Sequence, residues 1–163
     1  MITVVLGDTN LKISPEAFYK MQAYIQDNNS KEEAGGVMLG YCIDENNFTV
    51  IDATVPNVED KRSRYGFWRV SALHQRFLTI LFKKSKGKSI YLGEWHTHPE
   101  DIPTPSTLDR KSILDQIKRS QLNSNKIFAI IVGRKGLNIS VVKKSGIVLE
   151  SQLEFDELSC PLD

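Results

Sequence analysis

His96 and His98 stand one residue apart in the stretch Gly93 to Asp109, GEWHTHPEDIPTPSTLD, and are two of the chain's three histidines. On a strand, alternate side chains share a face, so both imidazoles can address one atom. Two histidines are a common start for a zinc site, and a catalytic zinc needs a third protein ligand and an open position for water. Asp109 is the candidate third ligand, at the start of the next helix and eleven residues beyond His98. Pro99, Pro103 and Pro105 restrict the intervening loop and help to fix its geometry. Hydrolysis at such a centre works best with a general base beside the water. Glu33 is the candidate, because it precedes Gly35-Gly36 and an apolar strand, where a side chain can project over a neighbouring strand.

Each of these residues also has a plainer reading. HxH pairs occur on ordinary strands. Ser106-Thr107-Leu108-Asp109 has the form of a helix capping box, with Ser106 at the N-cap and Asp109 three residues on. The two roles are compatible, since a helix N-terminus suits an anionic ligand. Glu32 and Glu33 follow Lys31 in a polar turn, where most glutamates are simply solvated.

The elements that must position these residues are legible in outline. Met1–Leu6 alternates and is β-branched, which predicts a first strand. Ser14-Pro15 is an N-cap followed by proline at the first helical position, and PEAFYKMQAYIQDN carries Phe18, Met21, Tyr24 and Ile25 at helical spacing. GGVMLGYCID and NFTVIDATVP read as a strand pair. Residues 56–69 read as a long, partly aromatic connection and a candidate for substrate contact, with the alternative that Phe67 and Trp68 pin it to the core. Within it, Lys61, Arg62, Arg64 and Arg69 read as solvated. VSALHQRFLTILFKKS predicts an amphipathic helix with His74 in a structural role, and KKSKGK its end and turn. KSIYLGEWHTH is a central strand, apolar on both faces at its start. STLDRKSILDQIKRSQL predicts a helix with Leu108, Ile113, Leu114 and Ile117 on one side. KIFAIIVG and LNISVVKK form a hairpin, SGIVLES adds a short strand, and FDELSCPLD is a loose tail or short helix. The expected order is β-α-β-β-α-β-α-β-β: an α/β fold with a mixed, mostly antiparallel sheet and helices packed on it.

Composition bounds the function. With 163 residues the chain is expected to form one domain, spanning residues 1–163, and 40% hydrophobic and 25% charged residues are those of a soluble globular protein. The net charge of +1 offers no global field for nucleic acid or membrane, and no apolar run approaches a bilayer span. MITVVLGDTN lacks a basic segment before its apolar run, so no signal peptide is expected. Cys42 and Cys160 form no CxxC pair and read as two reduced thiols in a cytoplasmic protein.

Taken together, Glu33, His96-Thr97-His98, the seven residues Pro99 to Pro105, Ser106 and Asp109 resemble the JAMM signature of the JAB/MPN metallopeptidases. EAGGVMLG is similar to that family's first-strand motif, which selects Glu33 over Glu32. YLGEWHTHPEDIPTPS, DKRSRYGFWRV and HQRFL look most like a bacterial branch that includes deconjugating peptidases of CBASS antiphage operons and integrative and conjugative element proteins. The resemblance implies a single JAB/MPN domain, deaminase-like in fold, with a curved sheet. It implies Zn2+ held by His96, His98 and Asp109, one per chain, with a catalytic water. Glu33 would take the water's proton and pass it to the leaving amine, and Ser106 would donate to the developing oxyanion. The implied substrate is a protein conjugated through a C-terminal tail, either a ubiquitin-like modifier or a CD-NTase. Other readings are a deconjugase of another ubiquitin-like system, a non-catalytic scaffold and a DNA-repair role. A nucleobase deaminase needs H-x-E together with P-C-x-x-C, and a thermolysin-like protease HExxH; the chain has neither P-C-x-x-C nor HExxH.

Overall fold

The computed structural model describes residues 1–158. Its strands are β1 (Ile2–Leu6), β2 (Thr9–Ile13), β3 (Gly35–Cys42), β4 (Asn47–Ala53), β5 (Lys61–Ser63), β6 (Gly66–Trp68), β7 (Ile90–Thr97), β8 (Ile127–Val132), β9 (Gly136–Lys143) and β10 (Gly146–Glu154). The α-helices are α1 (Pro15–Gln22), α2 (Ser71–Lys84) and α3 (Thr107–Arg119). Eight strands form one sheet in the order β1-β2-β4-β3-β7-β8-β9-β10, antiparallel except for the β2–β4 and β7–β8 pairs. The sheet curves until its edge strands β1 and β10 meet, where Leu149 packs against Gly7. The mixed, mostly antiparallel α/β sheet expected from the sequence is therefore the observed architecture.

Alternation along the interior strands serves two cores. Phe128, Ile130 and Val132 of β8 join Trp95, Leu92, Phe48, Ala17 and Met21 under α1. Ile127 and Ala129, on the other face, join Ile113 and Ile117 of α3. Strands buried on both faces need no polar alternation, which is why β8 and β9 read as continuous apolar runs. Ser14 caps α1, accepting the Ala17 N–H at 3.1 Å, and Lys20 ties the helix to Asp52 of β4 at 2.6 Å.

Several expectations are corrected. Thr9–Ile13 is a strand, reached through a tight turn at Gly7 (φ 60°) and hidden in the sequence by its polar alternate positions. Helix α1 stops at Gln22, and the chain turns so that the Tyr24 ring reaches Trp95, 6.1 Å between centroids. Residues 56–69, expected as a long connection, carry a hairpin, because β5 and β6 pair within them. β10 is nine residues long, a full edge strand on β9. Leu108 lies outside the apolar side of α3, at 63% exposed. Cys42 is a free, half-buried thiol, whereas Cys160 and the end of the expected tail lie outside the described residues. No helix among the described residues is long and apolar enough to cross a membrane.

His74 does have a structural role. It is buried at the start of α2, its Nδ1 2.6 Å from Thr54 Oγ1 and its Nε2 3.0 Å from Asp60 Oδ2. Asp60 also accepts the N–H groups of Asn57 and Val70. This buried knot fixes both ends of the segment that carries the β5–β6 hairpin. Burial alone would raise the Asp60 carboxyl. The N–H donors and His74 outweigh it and hold the group below its ordinary value.

Candidate metal centre and catalytic cleft

The site is built where three strands end together. Gly35 of β3 pairs with His96 of β7, and His96 in turn lies beside Ile131 of β8. Glu33, two residues before β3, therefore arrives next to a residue far along the chain. Gly35 and Gly36 at the start of β3 permit this approach. A Cβ on Gly35 would lie 2.7 Å from both the Phe67 ring and the Trp95 carbonyl oxygen. Within β7 a bulge at Gly93 (φ 129°) changes the alternation. A side chain there would collide with the Phe128 backbone.

Beyond β7 the proline-rich loop is tied on several sides. The His98 N–H donates to Val132 O at 3.1 Å, Arg134 N–H to Glu100 O at 2.7 Å, and Gln152 Nε2 to Pro103 O at 3.0 Å. The loop delivers the chain to α3, where the capping box expected from the sequence forms. Asp109 N–H donates to Ser106 Oγ at 3.0 Å, and Ser106 N–H donates to Asp109 Oδ2 at 2.7 Å. The cap thus aims the Asp109 carboxylate back at β7.

His96, His98 and Asp109 converge as expected, each offering one ligand atom, all within 4.8 Å of one another. His96 Nε2 lies 3.1 Å from His98 Nε2, and the two sit 3.3 and 3.2 Å from Asp109 Oδ1 and Oδ2. Proton placement favours a cation between them. His98 Nδ1 lies 3.2 Å from Glu100 Oε2, a contact that requires the ring proton on Nδ1. A neutral His98 then turns its Nε2 lone pair toward a carboxylate oxygen and a second imidazole nitrogen. Three lone pairs facing one point repel unless a proton or a metal ion lies among them. The donor set, two imidazoles and a carboxylate, fits zinc and leaves a further position for water.

The electrostatics follow. Burial would raise the Asp109 carboxyl, yet His96 and His98 together hold it well below the usual carboxylate range. Burial would lower His98, and the carboxylates of Asp109, Glu100 and Glu33 raise it instead. Glu33 is only 6% exposed, so it is not the solvated turn residue of the plainer reading. Burial pushes its carboxyl up to about 7, opposed by His96 and His98 and reinforced by Asp109. Its Oε1 lies 3.9 Å from His98 Nε2.

A cleft of 960 Å3 opens on this cluster. The β5–β6 hairpin forms one wall with Tyr65, Phe67 and Trp68, and α3 forms the other with Leu108 and Gln116. The aromatics divide the two roles considered for this segment. Phe67 packs on Gly35 and anchors the hairpin, while Tyr65 and Trp68 are exposed along the cleft.

Sequence reasoning missed the supporting residues. Glu100 backs His98. Arg62 is not solvated, since its Nε–H donates to Glu33 O at 2.7 Å and its guanidinium stands 5.6 Å over the Tyr24 ring. Arg64 donates to Asn28 O at 3.1 Å, and Arg69 pairs with Glu94 at 2.8 Å; Lys61 alone of the four is exposed with no side-chain partner among the described residues. Gln26 is wholly buried beside Thr97. Only Glu100, two residues from His98, carried a local signal; the others act across long sequence separations.

Comparison with known proteins identifies the family. Residues 15–143 match the family of prokaryotic homologs of the JAB domain. A Pseudomonas aeruginosa protein named CD-NTase/cGAS isopeptidase is 38% identical over 138 residues, 85% of this chain and 86% of that one. An Escherichia coli protein of the same name is 34% identical over 140 residues, 86% of each chain. The solution structure of protein DSY2949 from Desulfitobacterium hafniense superposes with a TM-score of 0.61 at 19% identity, covering 86% of this chain and 90% of that one. That last likeness is one of fold.

Proposed function

The chain belongs to the family of prokaryotic JAB-domain proteins, and from that premise we propose that it is a zinc-dependent isopeptidase of bacterial antiphage defence. Its substrate is a CD-NTase joined through its C-terminus to another protein, the substrate in the names of its relatives. The observation that carries the reading is the convergence of His96, His98 and Asp109 with the buried Glu33 carboxylate 3.9 Å away at the floor of a cleft.

His96, His98 and Asp109 would hold the metal. Zinc, when bound, supplies Lewis acidity that polarises an amide carbonyl and acidifies a water molecule. The protein's own groups do the rest. Glu33 takes one proton from the attacking water as its oxygen bonds to the carbonyl carbon, then returns that proton to the departing lysine amine as the C–N bond breaks. The burial that raises this carboxyl favours its taking up and holding the proton between the two halves of that exchange. Ser106, exposed at the start of α3, donates its hydroxyl hydrogen toward the developing oxyanion while its oxygen keeps the helix cap. The tail of the conjugated protein lies extended between the β5–β6 hairpin and α3, with Tyr65, Trp68 and Leu108 along its path.

The test is a CD-NTase fused through its C-terminal residue to a reporter protein. The purified chain, carrying about one zinc, should release the reporter at the junction. His96→Ala or Asp109→Ala should lose zinc and activity together, and Glu33→Ala should keep zinc and fold yet lose cleavage. Persistent cleavage by Glu33→Ala overturns its role as base, and full zinc in both ligand variants overturns the site.

A further inference from the structure

One fully buried amide side chain, Gln26, joins three of the segments that meet around Glu33. Its Nε2 donates to Lys31 O at 3.2 Å and to Arg64 O at 2.9 Å. Its Oε1 accepts the Thr97 hydroxyl at 3.1 Å. Thr97 Oγ1 in turn accepts the Ala34 N–H at 3.0 Å, and the Thr97 N–H donates to Ala34 O at 2.8 Å. Lys31 lies two residues before Glu33 and Ala34 directly follows it. Thr97 sits between the two histidines, and Arg64 is at the tip of the hairpin that walls the cleft.

The direction of the relay is set by Gln26. A hydroxyl has one hydrogen to give, and Thr97 commits it to Gln26 Oε1. That leaves the Thr97 lone pairs for the Ala34 N–H, which would otherwise be an unpaired buried donor. Each atom of the amide is used for what it can do: two donors meet two carbonyls, and one acceptor meets one hydroxyl. Glutamate at 26 would set a carboxylate against two carbonyl oxygens, and methionine would fill the space with no partner for any of them. The hairpin grips the same segment independently, since Glu33 N–H donates to Ser63 O at 2.7 Å and Arg62 Nε–H donates to Glu33 O.

We propose that Gln26 is a positioning residue for Glu33, holding the backbone on both sides of that carboxylate in register with the strand that carries His96 and His98 and with the cleft-wall hairpin. This rests on the reading of Glu33 as the group that carries the proton. Gln26 touches no reacting atom. Its effect comes from fixing where the Glu33 carboxylate stands, and a displacement of about 1 Å at such a group costs on the order of a hundredfold in rate.

The experiment uses the zinc-loaded full chain and the fusion substrate. Gln26→Met and Thr97→Val should each lower kcat by about 10- to 100-fold. KM and zinc content should stay within about twofold, since neither variant replaces a residue that lines the cleft or holds the metal. In Thr97→Val, hydrogen exchange at the Ala34 amide should accelerate about tenfold or more as its acceptor is lost. Thr97→Ser, which keeps the hydroxyl, should restore both exchange and rate. In a Glu33→Ala background, Gln26→Met should leave the residual rate unchanged, because the group it positions is gone. The proposal is overturned if Gln26→Met keeps parental kcat, or if it lowers the residual rate equally in the Glu33→Ala background. Should Gln26→Met not fold, Thr97→Val carries the same comparison. Full activity of Glu33→Ala would instead overturn the base reading, whatever happens to Ala34 exchange.

Discussion

Glu100 Oε2 lies 3.2 Å from His98 Nδ1 and also accepts the Thr104 N–H at 3.0 Å, so one carboxylate sets the tautomer of His98 and braces the proline-rich loop. Removing such a partner of a ligating histidine typically costs 10- to 100-fold in metal affinity. Glu100→Ala should therefore weaken zinc binding by about that factor in competition with a chelator, while the fold persists through the Arg134 N–H to Glu100 O bond. Parental affinity in this variant would mean that the contact does not orient the ring.

The parts of the site that sequence could yield are those set by local geometry. The alternation that puts His96 and His98 on one face and the Ser106–Asp109 capping box are each contained within a few residues, and both form as expected. Glu33 was recognisable through its family motif, because its surroundings arrive from elsewhere. A glutamate in the sequence KEEAGG is solvated unless a distant strand covers it, and here β7 and the hairpin do. The same reason hid Gln26 and Arg62, whose partners lie up to 71 residues away. The hairpin itself was hidden because three-residue strands carry too little alternation to register against a basic background.

The Asp60–His74 pair predicts an acid-sensitive anchor for that hairpin. The folded protein holds the Asp60 carboxyl below its ordinary 3.8, so it favours the ionised form. By linkage, the resulting stability is complete above about pH 4 and is lost as the pH falls toward the folded-state value. Asp60→Asn should cost about 1–3 kcal/mol at neutral pH, for a buried carboxylate that loses hydrogen-bonded partners. The gap between parent and variant should narrow on acidification below that point. Denaturant titrations at neutral pH and near pH 3 would show it, and a gap that stays constant would exclude Asp60 as the source.

Gly35→Ala tests the contact between hairpin and active-site strand. The added methyl would sit 2.7 Å from the Phe67 ring and from the Trp95 carbonyl, and the second of these is backbone that cannot yield cheaply. Overpacking of this kind costs about 1–3 kcal/mol. Because Phe67 is the hairpin's anchor, β5 and β6 should shift with it and carry Arg62 and Ser63 away from the Glu33 backbone. Activity should then fall more than the loss of folded protein explains. A calorimetric melt beside the fusion-cleavage rate measures both, and unchanged kcat in the folded fraction would show that the hairpin can move without disturbing Glu33.

Ser106 is asked to do two things, and a single substitution separates them. As N-cap it accepts the Asp109 N–H, a role that alanine forfeits at about 0.5–2 kcal/mol but glycine loses by only a few tenths. As oxyanion donor it needs its hydroxyl hydrogen, which glycine lacks. Ser106→Gly should therefore melt close to the parent and keep its zinc, since Asp109 still faces His96 and His98. Its kcat should nevertheless fall by about two to three orders of magnitude, the usual cost of one such donor. Ser106→Thr keeps both cap and hydroxyl and should retain most of the rate. If Ser106→Gly cleaves the fusion as fast as the parent, the serine is a cap and nothing more, and the oxyanion must be met by some other donor at the mouth of the cleft.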